Sequence, residues 1–378
     1  HILFLRGERR SVFDAAHKLL EPKDYLNLKL TGRAAATYDS IALHWVTDNR
    51  DPHRIQYDPV LLKKTGIPRD KLPDLLRATA VLGELTAEAA SALGLRRGVK
   101  VVAGTPDLHA AAIGSGAVTD YEGHLCVGTS SWITCHVPFK RTDLASNMAS
   151  LPAALPGRYL IANEQETAGE CLRFLRDRIV FADDGLTGPP PEDAFARLEG
   201  LARSAPPGSH GLLFLPWLFG ERTPVEDPFV RGGFLNLSLR STRADLVRAV
   251  YEGVALNSRR LLVAVERFAG REFRSLRAIG GGMRSTLWPQ IYADVLGRPV
   301  QVVRGALDAN ARGAALLAAI ALGHLRVEDV AAAVPIEATY TPDPQHYAVY
   351  TRMFRELEHA YGATRSMYRR LNGGGGAT

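Results

Sequence analysis

The sequence predicts an α/β protein of two domains, with helices packed on the faces of a mixed sheet. Three observations support this fold class. The chain has 378 residues, which favours two domains over one or three. Apolar runs with hairpin signals begin after residue 116, and strand and helix patterns then alternate up to residue 322. The composition, 46% hydrophobic and 23% charged, is typical of a folded globular protein.

The first part of the chain is predicted to be rich in helix. Apolar spacing indicates a helix over residues 14–30, interrupted at Pro22. Residues 99–103 form an apolar run that predicts a buried strand. Because the sequence texture changes near residue 118, we expect one domain at 1–118 and a second at 119–378.

The second part is predicted to begin with a hairpin and to continue with alternating elements. Two apolar runs, 124–127 and 132–137, flank a turn of Gly, Thr and Ser at 128–131. Segment 183–191 is rich in Gly and Pro and segment 372–378 is rich in Gly, so both are expected to be loops. Further strands are predicted at 159–162, 212–215, 234–239, 276–279 and 300–303, and helices at 243–268, 285–296 and 310–322.

The charge of the chain does not indicate a nucleic-acid partner. A net charge of +6 and a pI near 9.3 raise that possibility. However, the chain has only eight lysines, none after Lys140, and its arginines are scattered among alanines and glutamates. No basic run is interleaved with aromatic residues, as single-strand binders require. We therefore expect no nucleic acid among its partners.

Cysteine and apolar patterns predict a cytoplasmic protein without a membrane span. The three cysteines, Cys126, Cys135 and Cys171, are odd in number and lack CxxC spacing, so neither a disulfide framework nor a zinc site is indicated. The longest apolar stretch, 314–322, is too short to cross a membrane. We expect no metal site built from side chains, and we expect satisfied or surface histidines at His44, His109, His124 and His136.

The segment Gly104–Asp107 places a carboxylate just beyond a predicted strand, where open α/β sheets bind their ligands. Asp107 is therefore a candidate catalytic residue. Alone, this position fits equally well with a helix cap, since Asp is common at helix starts.

Two glycine-containing segments could bind phosphate or a flat ring. The turn 128–131 offers backbone N–H groups and hydroxyls, although an ordinary turn explains it equally simply. Gly280–Gly282 follows a predicted strand and precedes Ser285 at a helix start, which is a stronger signal. Among the tryptophans, only Trp217 is predicted to lie near a ligand.

Several segments, in order, resemble the FGGY family of carbohydrate kinases. This family has the actin-like fold of two ribonuclease-H-like domains, with ATP bound between them. The matching segments are Pro22-Lys23-Asp24-Tyr25-Leu26, Val101-Val102-Ala103-Gly104-Thr105-Pro106-Asp107, Val127-Gly128-Thr129-Ser130, Thr167-Ala168-Gly169-Glu170, Phe219-Gly220-Glu221-Arg222-Thr223-Pro224, Gly280-Gly281-Gly282 and Arg312-Gly313-Ala314-Ala315.

The resemblance implies an ATP-dependent and Mg²⁺-dependent kinase for a sugar or polyol, most similar to xylulokinases. Asp107 matches the base that takes the proton from the attacking hydroxyl, and Leu108 and His109 fall at the substrate side. The resemblance also implies nucleotide contacts at Thr129, Ser130, Gly169, Gly281, Gly282 and Thr286. A homodimer is left open.

Two departures from the family pattern have consequences. The residue after the base is usually Asn or Gln, but here it is Leu108. The family's opening Asp-x-Gly-Thr phosphate loop has no counterpart in these residues, so we expect an incomplete first domain and an inactive chain when it is expressed alone. The alternative to a kinase is a non-catalytic nucleotide-binding protein of the same fold.

Overall fold

The computed structural model describes residues 1–373. Of the predicted loop at 372–378, Asn372 instead ends a long helix, and residues 374–378 lie outside the described residues.

The first 118 residues form short helices around three two-stranded sheets. Strands β1 and β4 pair in parallel, whereas β2 with β3 and β5 with β6 pair antiparallel. The helices are α1 Ile2–Glu8, α2 Arg10–Ala15, α3 Pro22–Thr31, α4 Tyr38–Ile41, α5 Pro59–Thr65, α6 Ala87–Leu93 and α7 Asp107–Gly114; the strands are β1 Ala35–Thr37, β2 Thr47–Asp48, β3 Gln56–Tyr57, β4 Asp74–Leu76, β5 Val81–Glu84 and β6 Lys100–Val102.

Two predictions for this part need correction. Pro22 does not interrupt a helix but begins α3, because proline fits the first helical turn, whose N–H groups have no partner. The strand expected over 99–103 is β6, which is half-buried rather than buried because β5 is its single partner in the described part of the chain.

The remaining residues form two larger sheets, one two-stranded sheet of β13 and β14, and seven helices within the described range. The helices are α8 Gly169–Leu175, α9 Ala194–Arg203, α10 Arg243–Ala269, α11 Trp288–Leu296, α12 Ala309–Ala321, α13 Val330–Ala333 and α14 Pro344–Asn372; the strands are β7 Gly123–Val127, β8 Ser131–Thr134, β9 His136–Val137, β10 Thr142–Asp143, β11 Met148–Pro152, β12 Tyr159–Ala162, β13 Leu213–Leu215, β14 Gly233–Leu235, β15 Leu276–Ile279, β16 Val300–Val303 and β17 Ile336–Tyr340.

The predicted mixed sheet is confirmed as five strands in the order β17-β16-β15-β7-β8. The three central strands β16, β15 and β7 run in parallel, and the outer strands β17 and β8 are antiparallel to their neighbours. The hairpin expected around the turn at 128–131 is the β7–β8 pair. The strand predicted over 234–239 ends early at Leu235, because Asn236 adopts a positive φ of 67° that turns the chain.

Helix α10 is the central helix of the hydrophobic core in this part of the chain. It begins with a capping box, in which Thr242 accepts the N–H of Asp245 and Asp245 accepts the N–H of Thr242. It ends at Gly270, whose left-handed φ of 71° favours glycine. The helix begins at the predicted residue 243 and ends at Ala269, one residue later than predicted.

Helices α7 and α12 cross at unusually short distance. A Cβ built on Gly114 would lie 1.8 Å from the Ala309 carbonyl oxygen, and one on Gly313 would lie 1.9 Å from the Ala110 carbonyl oxygen. Glycine at both positions therefore allows the backbones to touch. This contact joins the helix that begins at Asp107 to the part of the chain that carries the five-stranded sheet. Within residues 1–373, each strand pairs with a strand from the same side of residue 118. A domain boundary at residue 118 stays a prediction.

Within residues 1–373, no helix combines the length and apolar character that crossing a membrane requires. The three cysteines are buried thiols without disulfide partners.

Candidate active site

The loop that leads into α7 is held in place by α3 and α4. Lys23 Nζ and Asn27 Nδ2 both donate to the Ala103 carbonyl oxygen, at 3.1 and 2.8 Å. Thr105 donates its hydroxyl hydrogen to the buried carboxylate of Asp39. The conformation of this loop is thus fixed by side chains more than 60 residues away in sequence.

Asp107 is exposed and is the first residue of α7. Pro106 occupies the N-cap position, and no side chain caps this helix. The Asp107 Oδ1 accepts the N–H of Leu108 at 2.8 Å, and its carboxylate forms no other hydrogen bond with residues 1–373. The helix-cap alternative is therefore wrong in its usual form, and one oxygen is available to a ligand.

The two residues after Asp107 differ in exposure. Leu108 is half-buried, whereas His109 is 2% exposed and its Nδ1 has no hydrogen-bond partner in the described part of the chain. Burial lowers the pKa of His109, against the opposing charges of Asp39 and Asp107. The lowered pKa favours a neutral ring, and the substrate-side role expected for His109 stays a prediction.

The orientation of α7 places its first residue at the carboxyl edge of the five-stranded sheet. Ala111 packs in one buried cluster with Cys126 and Ile279, near the ends of β7 and β15. Arg277, near the start of β15, donates to the Ser115 carbonyl at the other end of α7, at 3.2 Å. The helix therefore runs opposite to these strands, and the candidate base lies one helical turn, about 5.4 Å, beyond Ala111.

The turn between β7 and β8 has the features of an anion site. Gly128 donates its N–H to the Ser130 carbonyl at 2.9 Å, which closes the turn. The N–H groups of Thr129 and Ser130 donate to no acceptor in residues 1–373, and neither hydroxyl has a partner there. Successive free N–H groups of this kind bind anions.

A cleft of about 610 Å³ adjoins this turn and brings together four of the predicted residues, Thr129, Gly169, Gly281 and Gly282. Ser130 and Thr286 are not among its lining residues. The cleft is otherwise lined by one arginine pair, three acidic residues, three aromatic residues and smaller side chains: Arg173, Arg284, Glu192, Asp193, Glu199, Phe195, Tyr251, Trp288, Gly128, Leu172, Ala196, Ser285 and Leu307.

The sequence did not point to Glu199. It pointed to Trp217 as the tryptophan near a ligand, whereas Trp288 is the one that lines the cleft. Glu199 Oε1 accepts the N–H and hydroxyl of Thr286, at 3.2 and 2.9 Å, so Thr286 contacts a lining residue of the cleft without lining it itself. Trp217 is fully buried and donates to Asn257 Oδ1 at 3.2 Å, whereas Trp288 lines the cleft. The helical spacing around Trp288 did not indicate that this residue lines a cleft, because the cleft forms only when α9, α10 and α11 pack together.

The buried histidines are not satisfied, contrary to the prediction. Neither ring nitrogen of His124 has a partner in the described residues, and His136 has one, the Ala117 carbonyl at 3.0 Å. Burial lowers the pKa of each to about 3, so both are neutral. No three His, Cys, Asp or Glu side chains of residues 1–373 are grouped as metal ligands would be.

Together these features can bind a nucleoside phosphate and act on a hydroxyl. The turn at 128–130 offers donors to phosphate, the cleft has three aromatic residues in its lining and can accept a flat ring, and Asp107 lies at the same edge of the sheet. A carboxylate so placed can take a proton from an attacking hydroxyl.

Comparison with known proteins agrees with this arrangement. The model of the FGGY carbohydrate kinase N-terminal domain matches residues 1–114, and that of the C-terminal domain matches residues 123–322. The xylulose kinase of Escherichia coli K12 is 31% identical over 351 residues, which covers 92% of this chain and 69% of that protein. The autoinducer-2 kinase of Enterobacter sp. strain 638 is 30% identical over 370 residues, covering 95% and 68%.

Among solved structures, a gluconate kinase from Lactobacillus acidophilus superposes with a TM-score of 0.85 at 25% identity, covering 98% of this chain and 72% of that one. The fold is accordingly the actin-like sugar kinase fold that the motifs indicated. The chain belongs to the FGGY family of carbohydrate kinases.

Proposed function

We propose that this carbohydrate kinase transfers the γ-phosphate of ATP to a hydroxyl of a xylulose-like ketose, with Asp107 as the general base. The observation that carries the proposal is the position of Asp107, exposed at the carboxyl edge of the sheet whose turns line the cleft. The names of the relatives, xylulose kinase and autoinducer-2 kinase, support a small sugar as substrate.

The cleft fits a nucleotide. A Cβ at Gly281 would have no atom within 4 Å, so the backbone there leaves a flat, open surface for a purine. Tyr251 and Trp288, two buried rings with centroids 4.9 Å apart, pack beneath this part of the cleft lining. Thr129 and Ser130 would bind the phosphates through their free N–H groups and hydroxyls.

Mg²⁺ would reach this site together with ATP. Mg²⁺ is commonly bound by substrate phosphates and one or two carboxylates rather than by a cage of side chains. When bound, the ion would neutralise charge on the phosphates, and phosphoryl transfer depends on such neutralisation and on positioning.

The chain's own residues supply the base and its position. Asp107 Oδ2 is free to accept the proton of the attacking sugar hydroxyl, while Oδ1 is held by the Leu108 N–H. The hydrogen bonds that Ala103 accepts and the one that Thr105 donates fix the preceding loop and so limit the movement of the base. Such positioning contributes strongly to rate in phosphoryl transfer.

Leu108 bears on the choice of sugar. Relatives of the family usually have an amide side chain here that hydrogen-bonds the substrate, and leucine cannot form that bond. A site that reads a hydroxyl by hydrogen bonding discriminates strongly, whereas an apolar one does not. We therefore propose a substrate related to xylulose but bound without this contact. A cytoplasmic location and a homodimer stay predictions.

The experiment is a substrate panel with the protein expressed from its complete coding sequence. ADP release is measured with pentuloses, hexuloses, polyols and gluconate, and the phosphorylated product is identified by mass spectrometry. We expect activity on a ketose, and we expect Leu108→Asn to raise kcat/KM for D-xylulose at least about tenfold. Leu108→Ala is the control, because it shortens the side chain without adding a donor.

Two results of the panel would contradict the proposal. A parent enzyme that already prefers D-xylulose, with no gain from Leu108→Asn, would remove the role assigned to Leu108. ADP binding without turnover on any sugar would favour the non-catalytic alternative.

A further inference from the structure

Glu221 belongs to the segment 219–224, one of those that resemble the FGGY family, and the proposed mechanism assigns it no task. Glu221 is 4% exposed. Oε1 accepts the N–H groups of Arg222 and Glu166, at 2.9 and 3.3 Å, and Oε2 accepts the Asn257 side-chain amide at 2.6 Å. Both oxygens are therefore acceptors, and the group is built to be a carboxylate rather than an amide.

Glu166 lies in the connection between β12 and α8, residues 163–168. This connection is hydrogen-bonded to the turn 128–131, called the phosphate turn below. Gln165 and Ser131 exchange backbone hydrogen bonds of 2.8 and 3.2 Å. The N–H of Ala168 donates to the Thr129 carbonyl at 2.8 Å, and that of Gly169 to the Gly128 carbonyl at 2.9 Å. A side chain that holds the backbone of this connection thereby also holds the turn.

Close packing makes this coupling stiff. A Cβ on Gly169 would lie 2.5 Å from the Gly128 carbonyl oxygen, so the start of α8 and the turn touch with no space between them. The side chain of Gln165 is also fixed, since its Nε2 donates to the Asn257 carbonyl at 2.9 Å. Asn257, which lies on α10, thus contacts both Glu221 and the connection. Helix α10 therefore holds Glu221 and the connection in place together.

We propose that Glu221 is a positioning residue, whose ionised carboxylate holds the connection 163–168 and, through it, the turn 128–131 in the geometry that binds nucleotide phosphates. This inference rests on the proposed function, because it takes the turn to be the phosphate site. Glu221 itself does not touch the nucleotide.

The surroundings of Glu221 place its protonation in the physiological range. Burial raises its pKa to about 7, against the opposing effects of Asn257, the two N–H donors and Arg260 on α10. Arg222 pairs with Glu164 and Glu166 rather than with Glu221. The other titratable groups nearby are Cys171 on α8, whose pKa burial raises to about 12, and Asp227, whose backbone pairs with that of Glu221.

Protonation would oppose the hydrogen-bond pattern. Below pH 7 one carboxylate oxygen gains a hydrogen. This hydrogen faces an N–H donor, so the oxygen no longer accepts that donor's hydrogen bond. The connection loses a contact, and the turn loses part of its support. Nucleotide affinity should therefore fall as the pH falls from 8 to 6.

The decisive variants are Glu221→Gln and the double variant Glu221→Gln/Asn257→Asp. In the single variant, the new amide directs an NH₂ group at a donor, either Asn257 or the two backbone N–H groups. In the double variant, that NH₂ group donates to the new carboxylate at 257, which still accepts from Trp217 Nε1. The side-chain hydrogen bond between positions 221 and 257 is then restored with donor and acceptor exchanged, while the amide oxygen at 221 still accepts the two backbone N–H groups.

Glu252→Gln is the matched control. Glu252 is equally buried on α10, but it binds Gly208, Ser209, Arg248 and Tyr350, none of which is hydrogen-bonded to the phosphate turn. This variant should lower the unfolding temperature and leave nucleotide affinity unchanged below that temperature.

The measurement is the ADP dissociation constant in the presence of Mg²⁺, by calorimetry at pH 6, 7 and 8, with circular dichroism to verify folding. At pH 8, we expect Glu221→Gln to weaken ADP binding at least about tenfold, as loss of a hydrogen bond to a charged group implies. The double variant should return to within about threefold of the parent protein. In turnover assays, KM for ATP should rise more than kcat falls.

If Glu221→Gln does not fold, Asn257→Ala decides the question. It removes a donor that lowers the pKa of Glu221, so the pH at which ADP affinity falls should move upward relative to the parent protein. An unchanged midpoint would overturn the inference. So would a folded Glu221→Gln variant with parental affinity, an absent rescue, or an equal loss in Glu252→Gln. A parent protein that does not bind ADP at all would instead overturn the proposed function.

Discussion

At the scale of single residues, the two adjacent glycines of the cleft have different tasks. A Cβ at Gly281 would point into open space, but one at Gly282 would lie 2.7 Å from Val127 Cγ1. Substitution of Gly282 therefore tests internal packing, whereas substitution of Gly281 tests the surface offered to the nucleotide base.

We predict that Gly281→Val keeps the fold and weakens ADP binding at least about tenfold, because the side chain would occupy the space of the purine. Calorimetry gives the affinity and circular dichroism the fold. Gly233→Val in β14 is the control, since a Cβ there also meets nothing within 4 Å but lies away from the cleft lining. If Gly281→Val kept the parental ADP affinity, the purine would have to bind in another part of the molecule.

At the scale of helices, the contact of α7 with α12 sets the position of the base. We predict that Gly313→Ala destabilises the protein by about 1–3 kcal/mol, since the new methyl group would meet the Ala110 carbonyl and force the helices apart. Turnover should fall as well, because α7 begins at Asp107. The free energy of unfolding from urea titration measures the first effect.

Gly200→Ala on α9 is the matched control for this substitution. A Cβ at Gly200 meets nothing within 4 Å, so the higher helix propensity of alanine should stabilise the protein by up to about 1 kcal/mol. Equal effects of the two substitutions would show that the crossing does not depend on glycine.

At the scale of the whole molecule, buried histidines make stability sensitive to acid. The folded pKa of His124 is about 3, well below the roughly 6.5 of an unfolded chain. The His124 ring is neutral in both states above pH 6.5. Below that pH it binds a proton in the unfolded state but not in the folded state. The free energy of unfolding should therefore fall between pH 6.5 and 3, by up to about 1.4 kcal/mol per pH unit for each such histidine.

We predict that His124→Leu reduces this pH dependence. The substitution removes two unpartnered ring nitrogens and one titrating group, and replacing such a group by an apolar side chain is often neutral at pH 7. Urea unfolding at pH 7, 5.5 and 4.5 gives the comparison with the parent protein. Parallel curves would mean that His124 is protonated or solvated in the folded state.

Local patterns predicted much of the fold, because period and capping are encoded within a few residues. The strands at 159–162, 276–279 and 300–303 have the predicted bounds, and α10 ends one residue later than expected. The early end of β14 was not predictable, since it depends on the backbone conformation of one asparagine.

The candidate site was predictable only where a motif carried it. Four of the predicted residues meet at one cleft, and their roles stay predictions. Glu199 was missed because its partner Thr286 lies 87 residues away. The burial of His109 and His124 was missed for the same reason, since no local pattern shows which side chains a tertiary contact will cover.

The central claim is that Asp107 is the base that activates the sugar hydroxyl, and one substitution tests it directly. In the protein expressed from its complete coding sequence, Asp107→Asn should lower kcat by about 10²- to 10⁴-fold, because a positioned base is lost. The ADP dissociation constant should stay within about twofold of the parent value, since the carboxylate acts on the sugar rather than on the nucleotide. Turnover above about a tenth of the parent value in a folded variant would contradict the account.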